Sequence, residues 1–189
     1  MSPRPRRAQD DVLEATLEVI AENGVMGASV DTVAARTGVS KATIYRHWGS
    51  RARLLHAAIS SLQPESVEPD TGTLRGDLMV LLRHLVDYFD TPTVANVFPS
   101  LLDAALRDPE LAALRQETLR VGRASFERVI QLAIDRGELA PDVDVRLVVD
   151  LVRAPVIYRR VVAQTPVADS ELWAIVDAVL AAFPVTTPG

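Results

Sequence analysis

Cysteine is absent from the 189 residues, and lysine occurs once, at position 41. Without cysteine there is no disulfide framework, no thiolate metal site and no cysteine nucleophile, which suits a reducing compartment. No apolar run approaches the roughly 20 residues that span a bilayer. The opening "MSPRPRRAQDD" leads into acidic sequence and not into the apolar stretch of a secretory signal. These features imply a cytoplasmic protein without a membrane partner. The three histidines, His47, His56 and His84, are scattered. There is no His-x-x-x-His, no glycine-rich phosphate loop and no nucleophile elbow. The chain is therefore expected to be no enzyme, with no catalytic residue, no metal and no cofactor.

What the chain does have is aliphatic: 48% of its residues are hydrophobic but only 5% are aromatic. Its net charge of −5 is unevenly spread. Residues 1–60 carry 8 Lys/Arg against 6 Asp/Glu, whereas residues 61–189 carry 12 against 19. A basic head on an acidic body suggests that the head alone approaches a polyanion.

Apolar residues recur at intervals of three and four throughout, and no strand pattern appears. Leu13, Leu17, Ile20, Ala21 and Gly24 mark the inward stripe of a first helix closed by "NG". Arg51 to Leu62 presents Leu54, Leu55, Ala58, Ile59 and Leu62 on one face, with Ser50 as N-cap. "QPESVEPDTG" is acidic and aperiodic, a connection between residues 1–62 and 63–189. Leu74 to Phe89 is amphipathic, with residues 74, 78, 81, 82, 85 and 89 inward. Thr93 to Arg107 is helical by pattern, with Pro99 expected to kink it or to mark its true start. Asp108 and Pro109 open a helix reaching Arg136. Val143 to Gln164 is apolar nearly all round, and Asp169 to Phe183 carries a strong apolar stripe. Helices of this kind need burial on more than one side, so a dimeric four-helix bundle is expected, with a monomer core as the alternative.

The densest chemistry lies in "ASVDTVAARTGVSKATIYRHWGS". Ser29 caps a short helix from Val30 to Thr37, which turns Val30, Val33 and Ala34 inward. Gly38 turns the chain, Val39 fills the angle, and Ser40 caps a second helix whose inward residues are Ile44 and Trp48. Lys41, Ala42, Thr43, Tyr45, Arg46 and His47 then face outward or along the margin. This is a helix-turn-helix whose second helix suits a major groove.

Over about residues 8–58, and most strongly in "GVSKATIYRHW" followed by "SRARLL", the chain resembles the DNA-binding domain of the TetR family of transcriptional repressors. The resemblance implies an all-α protein of about nine helices. An N-terminal three-helix DNA-binding domain (1–62) with a basic arm would precede a helical effector-binding and dimerisation domain (63–189). It implies that Tyr45, His47 and Arg51 anchor phosphates beside Thr43, and that Lys41 and Ala42 read bases. Arg46 would be a variable contact, and Ser29 a phosphate-touching cap like Ser40 at the next helix start. The family more often has phenylalanine at Trp48 and lysine at Arg51. A double-stranded operator, a homodimer and a small-molecule effector are the implied partners. The rival reading is a helical interaction module or ligand sensor without sequence-specific DNA binding.

For the effector, Phe89, Phe98, Leu102, Phe126 and Tyr158 are candidate lining residues, though core packing is the stronger reading of each. Arg153, in a greasy segment beside Pro155, needs a carboxylate, a carbonyl or an acidic ligand. Pairing with Asp150 one turn away is the favoured answer. Leu151, Trp173, Val176, Val179, Leu180 and Phe183 are the candidates for the interface between copies. The arm's Arg4, Arg6 and Arg7 either enter a minor groove or form a solvated tail, the latter slightly favoured.

Overall fold

The structure, a computed structural model, describes residues 4–62 and 67–183, with side chains from residue 7 onward. Among the described residues nine α-helices follow one another: α1 (Arg4–Gly27), α2 (Val30–Thr37), α3 (Lys41–Trp48), α4 (Arg51–Ser60), α5 (Leu74–Asp90), α6 (Pro92–Ala104), α7 (Pro109–Asp135), α8 (Val145–Ile157) and α9 (Asp169–Ala182). A π-helical turn, Tyr158–Ala163, prolongs α8. No strand occurs among the described residues, and the fold is all-α. Two compact units emerge, one from Met1–Pro64 with Pro92–Leu119, the other from Glu65–Thr91 with Arg120–Gly189.

In the first unit, α1 packs against α2, α4 and α6. It is consequently buried on more than the single stripe expected: Val12, Ala15, Thr16 and Val19 are inside along with Leu17 and Ile20, while Ala21 is exposed. Thr16 satisfies its buried hydroxyl by donating to the Val12 carbonyl at 2.6 Å. Ile44, Leu54, Leu55, Val97 and Leu101 complete one core shared by α3, α4 and α6. Gly24 takes φ 72°, a left-handed value that interrupts α1. The Val25 amide just beyond it donates to Ser100 Oγ at 2.7 Å. In the arm the backbone is helical from Arg4 and Arg7 is exposed, whereas the side chains of Arg4 and Arg6 lie outside the described residues.

Pro99 neither starts nor breaks α6, which runs through it for 13 residues. Val94, Val97, Phe98, Leu101 and Ala104 are buried along the helix, and that packing outweighs the missing proline N–H.

In the second unit α5 packs against α8 and α9, which also meet each other. The inward stripe of α5 is as read, with Leu74, Leu78, Leu81, Leu82, Leu85 and Phe89 all buried. Asp77 is fully buried and fully engaged. It accepts from the Thr71 amide at 2.7 Å, the Thr71 hydroxyl at 2.8 Å and Arg136 Nη2 at 3.1 Å. Pro155 sits inside α8, and the chain leaves the α-helical register at Tyr158. A proline frees the carbonyl one turn earlier, which favours such a wider turn.

Candidate nucleic-acid interface

Three serine caps set the geometry of the head. Ser29 Oγ accepts from the Thr32 amide at 3.1 Å, Ser40 Oγ from the Thr43 amide at 3.2 Å, and Ser50 Oγ from the Arg53 amide at 3.2 Å. Each fixes where a helix begins. Between α2 and α3, Gly38 adopts φ 71°, and its amide donates to the Ala34 carbonyl at 3.0 Å. Nothing lies within 4 Å of where a Cβ would stand there. Glycine is thus required at Gly38 by the left-handed backbone and not by crowding.

With the turn fixed, helical periodicity sorts the side chains of α3. Ile44 is buried and Trp48 half-buried against the core. Lys41, Ala42, Tyr45, Arg46 and His47 are exposed, and Thr43 is half-buried. Tyr45, a large ring, stands 48% exposed, which is unusual for an aromatic serving only a core. The outward residues therefore form one contiguous face of hydroxyls and cations.

Three residues not singled out in the sequence adjoin this face. Lys41 Nζ lies 2.6 Å from Asp31 Oδ1, and that carboxylate raises the lysine's pKa above its ordinary value. Thr32 Oγ1 is 2.8 Å from Ser29 Oγ. Gln9 Nε2, from α1, lies 3.3 Å and 3.4 Å from the two ring nitrogens of His47. Thr32 had a local signal, being a hydroxyl in the first turn after a cap. Gln9 and His47 are brought together across 38 positions, which no local pattern encodes.

Arg51, expected as a phosphate anchor, is engaged by carbonyls of its own chain. Its Nε donates to the Ala28 carbonyl at 2.6 Å, and its Nη2 donates to the carbonyls of Val25 at 2.6 Å and Met26 at 3.1 Å. The guanidinium therefore ties the start of α4 to the C-terminal end of α1, where carbonyls are otherwise short of donors. A planar fork reaches several carbonyls at once in a way a lysine ammonium does not.

Residues 12–58 match the family model of bacterial regulatory proteins, tetR family, and residues 68–179 match that of the tetracyclin repressor-like C-terminal domain. The chain belongs to the TetR family. It is 32% identical over 181 residues to an uncharacterized HTH-type transcriptional regulator of Mycobacterium tuberculosis, covering 95% of this chain and 87% of that one. It is 33% identical over 175 residues to the DNA-binding transcriptional repressor TetR of Mycobacteroides abscessus, covering 89% and 90%. The crystal structure of the TetR family transcription regulator SCO0332 superposes with a TM-score of 0.67 at 29% identity, covering 96% of this chain and all of that one. FadR from Bacillus subtilis, crystallised in complex with stearoyl-CoA, shares the fold at a TM-score of 0.66 and 22% identity, over 91% and 95%. The protein is a DNA-binding transcriptional regulator and not an enzyme. No helix among the described residues is long and apolar enough to cross a membrane.

In this TetR-family chain the candidate effector residues fall in both units. Phe98 and Leu102 lie in the first unit, Phe98 buried and Leu102 half-buried. Phe89, Phe126 and Arg153 are buried in the second, whereas Tyr158 is 60% exposed. Of these, Phe126 and Arg153 meet, the guanidinium carbon lying 5.4 Å from the ring centroid. The favoured pairing of Arg153 with Asp150 is not formed, because Asp150 Oδ1 lies 3.0 Å from Arg123 Nη2 on α7.

The interface candidates divide as well. Val176 and Val179 are buried within their own unit, where α9 packs against α5 and α8, and Val179 also borders the groove that Leu151 lines. Trp173 is covered by Arg75 of α5, whose guanidinium lies 4.1 Å from the ring centroid while bonding Asp177 at 2.8 Å. Leu180 and Phe183 are half-buried. Leu151 is 43% exposed and Leu147 47%. Leu151 borders an open groove of about 440 Å³ with Pro155, Ile175, Ala178 and Ala182.

Proposed function

We propose that this regulator is a repressor that holds a palindromic operator as a homodimer and releases it when a small molecule occupies its helical body. The observation that carries the reading is the outward face of α3, where Lys41, Ala42, Tyr45, Arg46 and His47 are exposed while Ile44 is buried one turn behind. In the complex, Tyr45 and His47 hold phosphates with Thr43 and the caps Ser29 and Ser40, while Lys41, Ala42 and Arg46 meet base edges. Arg51 supports that surface from behind. Repression is supported by the M. abscessus relative described as a repressor. An effector in the body is supported by the FadR complex with stearoyl-CoA.

Residues 1–62 serve the DNA and residues 63–189 the effector and the partner copy. The face holding Leu147 and Leu151 of α8 and Ile175, Ala178 and Ala182 of α9 is the surface on which two copies meet. It is apolar, partly exposed and built from two adjacent helices. Release requires only that the effector bind the non-operator state more tightly than the operator-bound one.

Selection from a random duplex library tests the reading. The expected outcome is an inverted repeat with two chains per duplex. An asymmetric site bound by one chain would contradict the dimer, and no enrichment at all would contradict the assignment of α3.

A further inference from the structure

Arg153 is only 6% exposed, among the most buried charged residues described in the chain. Its Nε is sealed from solvent with no hydrogen-bond partner. Among the described residues no carboxylate or carbonyl accepts a hydrogen bond from its guanidinium; the contact it does make is with the face of Phe126, 5.4 Å to the centroid. On its own helix it is flanked by Val149, Val152 and Val156, all buried. A second arginine stands nearby: Arg123 on α7 has its own Nε buried without a partner, and it holds Asp150. Burial first, and then the charge of Arg123, push the Arg153 guanidinium down to about 10, against the weaker pull of Asp150 and Glu127. It therefore remains a cation at neutral pH.

An unpaired buried guanidinium is costly, and a protein that needed only packing would place an aliphatic residue there. The surroundings also make room for it. Gly122 faces Arg153 in the middle of α7, and a Cβ at that position would stand 3.0 Å from Arg153 Nη2. Glycine inside a helix is itself unfavourable, so two local costs coincide at one place. Both are resolved if the guanidinium has a partner that arrives from outside the chain.

We infer that the edge of Arg153, with Arg123 beside it and Phe126 as an apolar wall, is the acid-recognition point of the effector, and that the effector is an organic carboxylic acid with an apolar body. The inference rests on reading the chain as an effector-responsive regulator. A carboxylate matches the planar fork of arginine with two parallel charge-assisted hydrogen bonds. The phenyl ring and the valine-rich helix suit a hydrocarbon or aromatic remainder.

The test uses the full-length protein without DNA. Octanoate, decanoate, benzoate and phenylacetate are titrated alongside their neutral amides and inorganic phosphate, by calorimetry and thermal shift, against the wild type, Arg153→Met and Arg123→Gln. At least one carboxylate is expected to bind while its amide binds at least about tenfold more weakly, as loss of charge-assisted hydrogen bonds implies. Arg153→Met is expected to lose that preference altogether, and Arg123→Gln to weaken it. The ligand-free Tm of Arg153→Met is expected to rise by about 2 °C or more, because an unpaired cation gives way to a hydrocarbon of similar length.

Equal binding of acids and amides, absence of binding by all the acids, or an unchanged acid preference in Arg153→Met would overturn the inference. So would a lowered Tm in Arg153→Met, which would mark the guanidinium as a structural support. Phosphate binding as tight as the best carboxylate would make the site a bare anion site and overturn the assignment to a carboxylic acid. Duplex-DNA anisotropy on the same variants separates this result from the reading of the head. Arg153→Met is expected to bind DNA like the wild type, so an acid site can fail while the α3 assignment stands, and the reverse.

Discussion

Lys41 and Arg46 stand in water on α3, whereas Arg153 is nearly sealed on α8. The exposed cations keep their hydration and lose little by waiting for a partner. Lys41 meanwhile holds a solvated carboxylate, Asp31, that it can exchange for a nucleic acid. Among the described residues the buried cation has no such interim partner. A third situation is that of Asp77, buried as deeply as Arg153 but engaged by Thr71 and Arg136. Burial alone thus does not separate support from recognition; whether the buried charge is satisfied by its own chain does.

The sharpest way to break this comparison is to remove Asp77. Asp77→Ala leaves the Thr71 amide and Arg136 without their acceptor, and the loss of a buried, paired carboxylate typically costs about 3–5 kcal/mol. Urea denaturation is expected to show a loss of that size, in contrast to the gain for Arg153→Met. Equal behaviour of the two variants would erase the distinction between satisfied and unsatisfied burial.

Arg51→Ala comes next. Three bonds from a charged donor to the end of α1 are lost, and net stability is expected to fall by about 2–3 kcal/mol. The slope of DNA affinity against salt is expected to stay as in the wild type, the outcome of a guanidinium that serves the carbonyls of α1 and adds no phosphate contact. A slope shallower by about one unit per lost phosphate contact would restore Arg51 to the phosphate-contacting set.

Gly38→Ala forces an L side chain into φ 71° with no steric contact to blame. The expected cost is about 1–2 kcal/mol, read by thermal denaturation. The smallest effect belongs to Asp31→Asn. It frees Lys41 and removes a negative charge from the DNA-facing surface, so affinity for duplex DNA is expected to rise about twofold to fivefold at low salt and to converge with the wild type at high salt. Stability should hardly change, since both side chains are largely exposed.

How much of this was legible in the sequence followed distance along the chain. The limits of α2, α3 and α4 and their caps Ser29, Ser40 and Ser50 could be read because each cap closes within three residues. The outward set on α3 followed from the same short period. Arg51 could not be read, since its carbonyl partners lie 23 to 26 positions away. Nor could Arg153, because the carboxylate one turn away had been taken by Arg123 from another helix. For Val176 and Val179 burial within the unit could not be told from burial at an interface for a related reason: an apolar stripe states that a face is buried, not by which neighbour. Pro99 shows the limit of punctuation, since tertiary packing carries α6 through it.

The central claim is that the exposed face of α3 is the surface that meets DNA. Anisotropy of a labelled duplex recovered by selection, measured for the wild type and for the combined Tyr45→Ala and His47→Ala variant across a range of salt, tests it most directly. The account predicts wild-type binding that falls steeply with salt, and a variant of unchanged fold that binds every duplex at least about tenfold more weakly. Binding by the variant equal to that of the wild type on the same duplexes would contradict it.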